Sequence, residues 1–359
     1  MKKLIQLAAP LALALFLSAC AGETADEGNS DELNVMLSYQ KSIYWLPLLV
    51  AQDRGYFEDE GVKVKLQETE GSGFVTQQLI AGNSPVGWAG APDVAVAFTK
   101  DKDLRALMCN PPQNIFRIVV PTDSEINQVK DLKGRTLGIS EAGGGEEPIV
   151  NASLADAGLK RDSDVKVLPI GGAGPASLNA ILKGKVDAYA GSYPDISTLT
   201  SDGRLKTRDI TPEQYNEIPG DCMTTRMASL KDKNMREKIV GVARAWAKGA
   251  IFAAANHEAA TKIACQAVPQ ECEDMSFAET YVADTIELSG VTEDTKVFGS
   301  VGISAWETTF EVLKGSGAIS GGFDPSLLAG GDVVEKFVQD YSDFDVEKIR
   351  AEAAAYDGS

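Results

Sequence analysis

The sequence has a single histidine, His257, among 359 residues. Most acid–base and metal schemes lean on imidazole, so this scarcity alone weighs against them. The phosphate-cradling GxxxxGK[ST], the zinc-binding HExxH, the nucleophile turn GxSxG and the CxxC pair are all missing. Positive charge is short as well: 34 Lys and Arg stand against 52 Asp and Glu, a net charge of −18. A nucleic-acid partner, which rewards basic patches, is therefore disfavoured, and solubility is the better account of the acidic balance. No apolar run is long enough for a mature bilayer-spanning helix; residues 4–17 come nearest and are too short.

What that short run does have is a setting. Lys2-Lys3 precedes it and Leu17-Ser18-Ala19-Cys20 follows, the charged, apolar and small-residue regions of a secretory signal. The Leu-Ser-Ala-Cys end resembles a bacterial lipobox, which implies cleavage after residue 19 and lipidation of Cys20. Losing Lys2 and Lys3 with no acid takes the side-chain charge from −18 to −20. Residues 20–32, small and acidic, read as a flexible tether. The expected address is the outer face of the cell membrane. Four cysteines remain, an even number in an oxidising compartment. Cys265 and Cys272 flank a short loop holding Pro269 and can be stapled, leaving Cys109 and Cys222 to pair over a long loop. The alternative, a metal site, is short of ligands; no metal or cofactor is expected.

The organising stretch is residues 33–66. Leu33, Val35 and Leu37 alternate as a half-buried strand does, and Val62, Val64 and Leu66 repeat the pattern. Between them Pro47 suits a helix's first turn, and Asp53-Arg54-Gly55 stops that helix. Ligands gather where the strand's carboxyl end meets the helix, which places residues 39–45 at a mouth. Tyr56 and Phe57 read as core aromatics beside the cap. The ordered residues Ala51, Gly55, Tyr56, Phe57, Glu60, Gly61 and Val62 resemble the opening of bacterial solute-binding proteins for nitrate, sulfonates, taurine and thiamine-pyrimidine precursors. Residues 129–139 resemble that family's passage into a second domain.

Strands are expected at 86–88, 104–108, 115–120, 165–168 and 186–190, alternating with helices at 73–81, 94–98, 148–157 and 175–183. Helices at 236–256, 258–265, 277–288, 306–313 and 333–349 complete the chain. Alternation of this kind means parallel sheets. One internal echo stands out: Val86-Gly87-Trp88-Ala89-Gly90-Ala91-Pro92-Asp93 is answered by Val186-Asp187-Ala188-Tyr189-Ala190-Gly191-Ser192-Tyr193-Pro194-Asp195. Each copy is a short strand closing on Pro-Asp, so two similar halves facing one cleft are expected. A third candidate loop follows residue 139: Ser140, Glu141, then Gly143-Gly144-Gly145 and Glu146-Glu147. Backbone N–H groups at a helix start bind anions, and glycine permits close approach. The glutamates serve either the helix dipole or the ligand. In the pocket they favour an amine or several N–H donors over a sulfonate.

The resemblance implies an α/β, two-lobed periplasmic-binding-protein-like fold of type II: two parallel-rich sheets flanked by helices, with the ligand cleft between the lobes. Lobe 1 is expected to hold 33–114 and 228–359, and lobe 2 residues 115–227. The expected ligand site comprises Gln40, Ser42, Tyr44, Trp45, Trp88, Gly90, Pro92, Asp93, Ser140, Gly143, Gly144, Gly145, Glu146, Glu147, Ser192, Tyr193 and Asp195. Trp88, in a strand, is read equally as core and as site. The implied function is capture of a small aromatic or heterocyclic amine-bearing solute by a monomer, for delivery to an ABC permease and its ATPase. The alternatives are a thiamine-pyrimidine-synthase-like enzyme, whose cysteine-rich metal motif is absent, and a ligand sensor for a membrane receptor. From the lipobox, wild-type protein is expected in the membrane fraction and Cys20→Ser in the soluble fraction; soluble wild-type protein in intact cells would refute the anchor.

Overall fold

The computed structural model describes residues 32–201, 203–292, 295, 298–299, 302–321, 323–330, 341 and 343–358. The signal, Cys20, all of the tether but its last residue, and much of the helix expected at 333–349 lie outside them.

The alternating runs form β1 (Glu32–Leu37) and β2 (Lys63–Glu68), paired in parallel with Leu33 opposite Val64. Between them run α1 (Leu46–Asp53), with Pro47 in its first turn, and α2 (Tyr56–Asp59), reached through Gly55 at φ 71°. That left-handed value suits glycine and turns the chain so that Tyr56 and Phe57 are buried as core aromatics. The first half continues through α3 (Ser72–Ala81), β3 (Val86–Gly90), α4 (Ala91–Lys100) and β4 (Leu104–Asn110). Then come β5 (Phe116–Pro121), β6 (Thr136–Ile139), α5 (Glu147–Asp156), β7 (Lys166–Pro169), α6 (Pro175–Leu182), β8 (Ala188–Ser192), α7 (Tyr193–Thr200) and β9 (Thr207–Asp209). The chain returns as β10 (Asp221–Arg226), followed by α8 (Met227–Lys231), α9 (Lys233–Ala255), α10 (His257–Ala267), α11 (Met275–Ser289) and α12 (Ile303–Gly315).

Two five-stranded sheets result, in the orders β2-β1-β3-β10-β4 and β7-β6-β8-β5-β9. Four strands of each sheet run the same way, but β10 runs antiparallel to β3 and β4, and β5 antiparallel to β8 and β9, so the sheets are mixed, with four parallel and four antiparallel pairings, rather than parallel-rich. The reason is connectivity. The chain leaves β4 at its carboxyl end, crosses, and starts β5 opposite the last residue of β8, Phe116 facing Ser192. A strand begun at the end where its neighbours finish must run against them. On the way back β10 starts likewise, Asp221 facing both Gly90 and Asn110. The sequence alternation gave no hint of this reversal, and β10 itself, buried along nearly its whole length, lacks a period-2 pattern.

Helices cover both faces of each sheet. Leu48, Leu49, Val50, Trp246, Ala247 and Ala250 of α1 and α9 pack on one face of the first sheet, and Val75, Leu79, Val94 and Phe98 of α3 and α4 pack on the other. The second sheet buries Val150 and Leu154 of α5 on one face and Leu178 and Ile181 of α6 on the other. Along α9, Gly249 lets α1 approach backbone to backbone, since a Cβ there would strike the Pro47 carbonyl.

Both expected disulfides are present. Cys109 and Cys222 face each other across β4 and β10. Cys265 and Cys272 close the loop after α10, a separation of 7 residues. The first encloses a separation of 113 residues, and removal of a native disulfide typically costs about 2–5 kcal/mol. Cys109→Ser/Cys222→Ser is therefore expected to unfold at clearly lower urea than wild type, and thiol titration of the unreduced protein should find none of these four cysteines. Two or more reactive thiols among them would contradict the pairing.

Candidate functional site

All the strand ends just described converge. The carboxyl ends of β1, β2, β6, β7 and β8 and the amino ends of β5 and β10 surround a cavity of about 440 Å³ between the two sheets. From the first sheet come Ser38, Tyr39, Gln40 and Tyr44 after β1, Thr69 to Ser72 after β2, and Asp221 opening β10. Ile115 and Phe116 enter on the crossing strand. From the second come Ser140, Glu141, Gly145 and Glu146 after β6, Gly172 and Ala173 after β7, and Ser192, Pro194 and Asp195 after β8.

Glycine sets how closely the two sides approach. Gly71 has φ 117°, and a Cβ there would lie 2.7 Å from Glu141 Oε1 on the opposite side. Gly90 and Gly145 leave the space that the Phe116 ring fills; a Cβ on Gly90 would stand 3.0 Å from it. Ser72 Oγ accepts the Gly90 N–H at 2.9 Å and so ties the β2 loop to the start of α4.

Asp195 ties the most segments together. Its Oδ2 accepts Ser192 N–H at 3.0 Å and Ser192 Oγ–H at 2.6 Å, a reciprocal helix cap for α7. Its Oδ1 accepts Ala173 N–H at 3.2 Å and, from the first sheet's side, the Tyr39 hydroxyl at 3.3 Å. Glu146, 3% exposed, accepts the Ser140 N–H at 2.8 Å and the Ser140 hydroxyl. Asp221, also 3% exposed, accepts the Ser38 hydroxyl at 3.3 Å. The carboxylates are thus held by hydroxyl and amide donors, and among the described residues no Lys, Arg or His lines the cavity.

Their proton affinities follow. Burial pushes the Asp221 carboxyl up to about 6. It pushes Glu146 up to about 7, against the lowering by Ser140. Burial, then the charges of Glu146, Asp221 and Glu147, takes Asp93 well above the carboxylate range. Glu141 is raised by burial and by the charges of Asp195 and Glu70.

Of the expected site residues, Gln40, Tyr44, Ser140, Gly145, Glu146, Ser192 and Asp195 line the cavity. The others stand elsewhere. Ser42 caps the turn Ile43–Trp45 and bonds Glu271 at 3.2 Å. Trp45 and Trp88 are core, stacked towards Trp246 with successive ring centroids 6.1 Å apart. Gly90, Pro92 and Asp93 begin α4, where the Asp93 Oδ2 atom is shielded and unpartnered. Gly143 and Gly144 shape the loop behind Gly145, with Gly143 at φ 82°. Glu147 is paired to Arg161 at 2.7 Å. Tyr193 donates to Asp284 of α11 and stacks near Tyr281, facing away into a separate hollow.

The sequence reading missed Ser38, Thr69, Glu70, Gly71, Ser72, Ile115, Phe116, Gly172, Ala173, Pro194 and Asp221, and left Tyr39 out of the site though placing it at the mouth. The β2 and β7 loops were findable by the strand-end rule that found their neighbours. Asp221 was not, because its strand direction depends on the crossing.

The sequence pattern of the family described as NMT1/THI5 like matches residues 42–260, more than half of the chain. A formylaminopyrimidine-binding protein of Halalkalibacterium halodurans is 27% identical over 180 residues, covering 50% of this chain and 53% of its own. A 4-amino-5-hydroxymethyl-2-methylpyrimidine phosphate synthase of Uromyces fabae is 34% identical over 59 residues, 16% of this chain and 17% of its own. The chain thus spans about half the length, or less, of these curated relatives. Among solved structures, the alkanesulfonate-binding protein SsuA of Xanthomonas axonopodis pv. citri, bound to MOPS, superposes with TM-score 0.60 at 17% identity, over 84% of this chain and 97% of its own. At that identity the likeness concerns the fold.

Glu146 and Asp221 have folded-state pKa values above their unfolded ones. Their contribution to stability is full below about pH 4 and is lost as pH rises through about 6 to 7. Ligand-free Glu146→Gln/Asp221→Asn is therefore expected to gain melting temperature over wild type at about pH 8 but little at about pH 4. An equal gain at both pH values, or none, would remove these groups as the cause.

Proposed function

The chain belongs to the NMT1/THI5-like family, and from that premise we propose that it is the extracytoplasmic solute-binding component of an ABC importer. In this reading a lobe built on the first sheet, residues 33–114 and 221–359, and a lobe built on the second, residues 115–220, close on one small molecule; the expected boundary at 227/228 moves because β10 pairs with β3 and β4. The closed form docks on a membrane permease driven by its ATPase. Cys20 carries the lipid that keeps the monomer at the outer face of the membrane. Closure follows from a ligand that binds the closed state more tightly than the open one.

The observation that carries the reading is the cavity at the strand ends between two like sheets, where open α/β sheets bind ligands. Its wall supports an aromatic or heterocyclic, amine-bearing solute. Tyr39, Tyr44 and Phe116 offer flat apolar faces, while Glu146, Asp195 and Asp221 offer acceptors. A sulfonate or nitrate would have only uncharged donors, backbone N–H, hydroxyl and the Gln40 amide, against five carboxylates, Glu70, Glu141, Glu146, Asp195 and Asp221. The synthase-like alternative needs a reacting set; the hydroxyl–carboxylate pairs in the wall, Ser140 with Glu146, Ser192 with Asp195 and Ser38 with Asp221, are read as holding loops, and the fate of the bound compound decides between the two.

A thermal-shift panel tests both points. Pyrimidine-like amines are expected to raise the melting temperature, by roughly 2.7 kcal/mol of added stability at about a hundred times the dissociation constant. The bound compound should be recovered chemically unchanged after long incubation. Stabilisation by taurine, alkyl sulfonates or nitrate alone would refute the ligand preference, and a converted compound would refute the transport reading.

A further inference from the structure

Resting on that reading, we infer that the cavity is selective for an organic cation and that the ligand's positive charge is what allows the two sides to close. The charges are distributed across the cleft. Glu70 and Asp221 stand on the first sheet's side, and Glu141, Glu146 and Asp195 on the second's. Loops from opposite sides bring like charges together: Glu141 reaches to within 2.7 Å of the Cβ position of Gly71, next to Glu70. Elsewhere in the molecule the half-buried Glu60 meets Arg244 at 2.7 Å and Lys248 at 2.6 Å. In the cavity the chain supplies hydroxyls instead.

Two further groups are left wanting a partner beside this wall. Tyr189 is 1% exposed, its hydroxyl has no hydrogen bond, and it lies beneath Gly191 under the influence of Asp195, Glu146, Tyr39 and Glu141. Asp93 Oδ2, behind Glu146 and Asp221, is likewise shielded and unpartnered. The sequence echo accounts for Asp93. In α7 the acid three residues after the strand is capped by Ser192, whereas Gly90, at the matching place in α4, has no side chain to offer. Buried charge without a counter-ion is costly, and like charges drawn together across a closing cleft add to the cost. A cation seated between Asp221 and Glu146 would offset both; a neutral ligand of the same shape would not.

Three planar compounds of nearly equal shape separate charge from fit: benzamidine (a cation), benzamide (neutral) and benzoate (an anion). At about pH 8, where the cavity acids are ionised, benzamidine is expected to bind at least about tenfold more tightly than benzamide, with no shift from benzoate. Asp221→Asn and Glu146→Gln, each tested separately so that one misfolded variant does not decide the matter, should bring benzamidine and benzamide to within about threefold of each other. Equal or stronger stabilisation of wild type by benzamide or benzoate overturns the charge requirement and leaves the uptake reading standing. No shift with any of the three overturns the inference as well, and the heterocycle panel then judges uptake by itself. Retention of the full charge preference in both variants would overturn the assignment of Asp221 and Glu146.

Discussion

Everything at the cavity depends on where the chain crosses between its sheets. Both passages, after β4 and before β10, lie at the end where the parallel strands finish. That single constraint reverses one strand in each sheet and delivers Phe116 and Asp221 to the wall as first residues of those reversed strands. It also sets Cys109 and Cys222 opposite one another, each one residue in from the strand end where a passage opens. The fold thus places its connections and the cavity wall in the same spot.

Some carboxylates away from the cavity are neutralised by cations, as Glu60 and Glu147 are, and others, such as Glu271 and Asp284, are held by hydroxyls. Those within it are oriented by weaker, uncharged donors: Ser38, Ser140, Ser192 and Tyr39. Hydroxyl donors fix geometry while leaving the net charge uncancelled.

Much of this was legible in the residues, and what escaped had a physical cause. The strand alternation, the Pro47 helix start and the Cys265–Cys272 pair are local properties, and local patterns exposed them; Cys109–Cys222, separated by 113 residues, followed as the pair left over. The echo ending at Asp93 and Asp195 also proved topological, since β3 and β8 hold the same place in their sheets. Trp45 and Trp88 misled because loop and strand-end position says nothing of which way a ring turns; both turn into the core beside Trp246. Tyr193 turned outward to Asp284 for the same reason. Asp221 belongs to a different category. Its role comes from a long-range return of the chain, and nothing within a window of neighbouring residues encodes that.

The Cys109–Cys222 bond encloses every residue of the second sheet in one covalent ring. A partial unravelling of the second half therefore cannot spread Cys109 and Cys222 apart, although residues inside the ring also meet the first half directly, as Asp195 meets Tyr39 and Tyr193 meets Asp284. Unfolding of the second sheet thus leaves the two strands that carry it, β4 and β10, joined side by side.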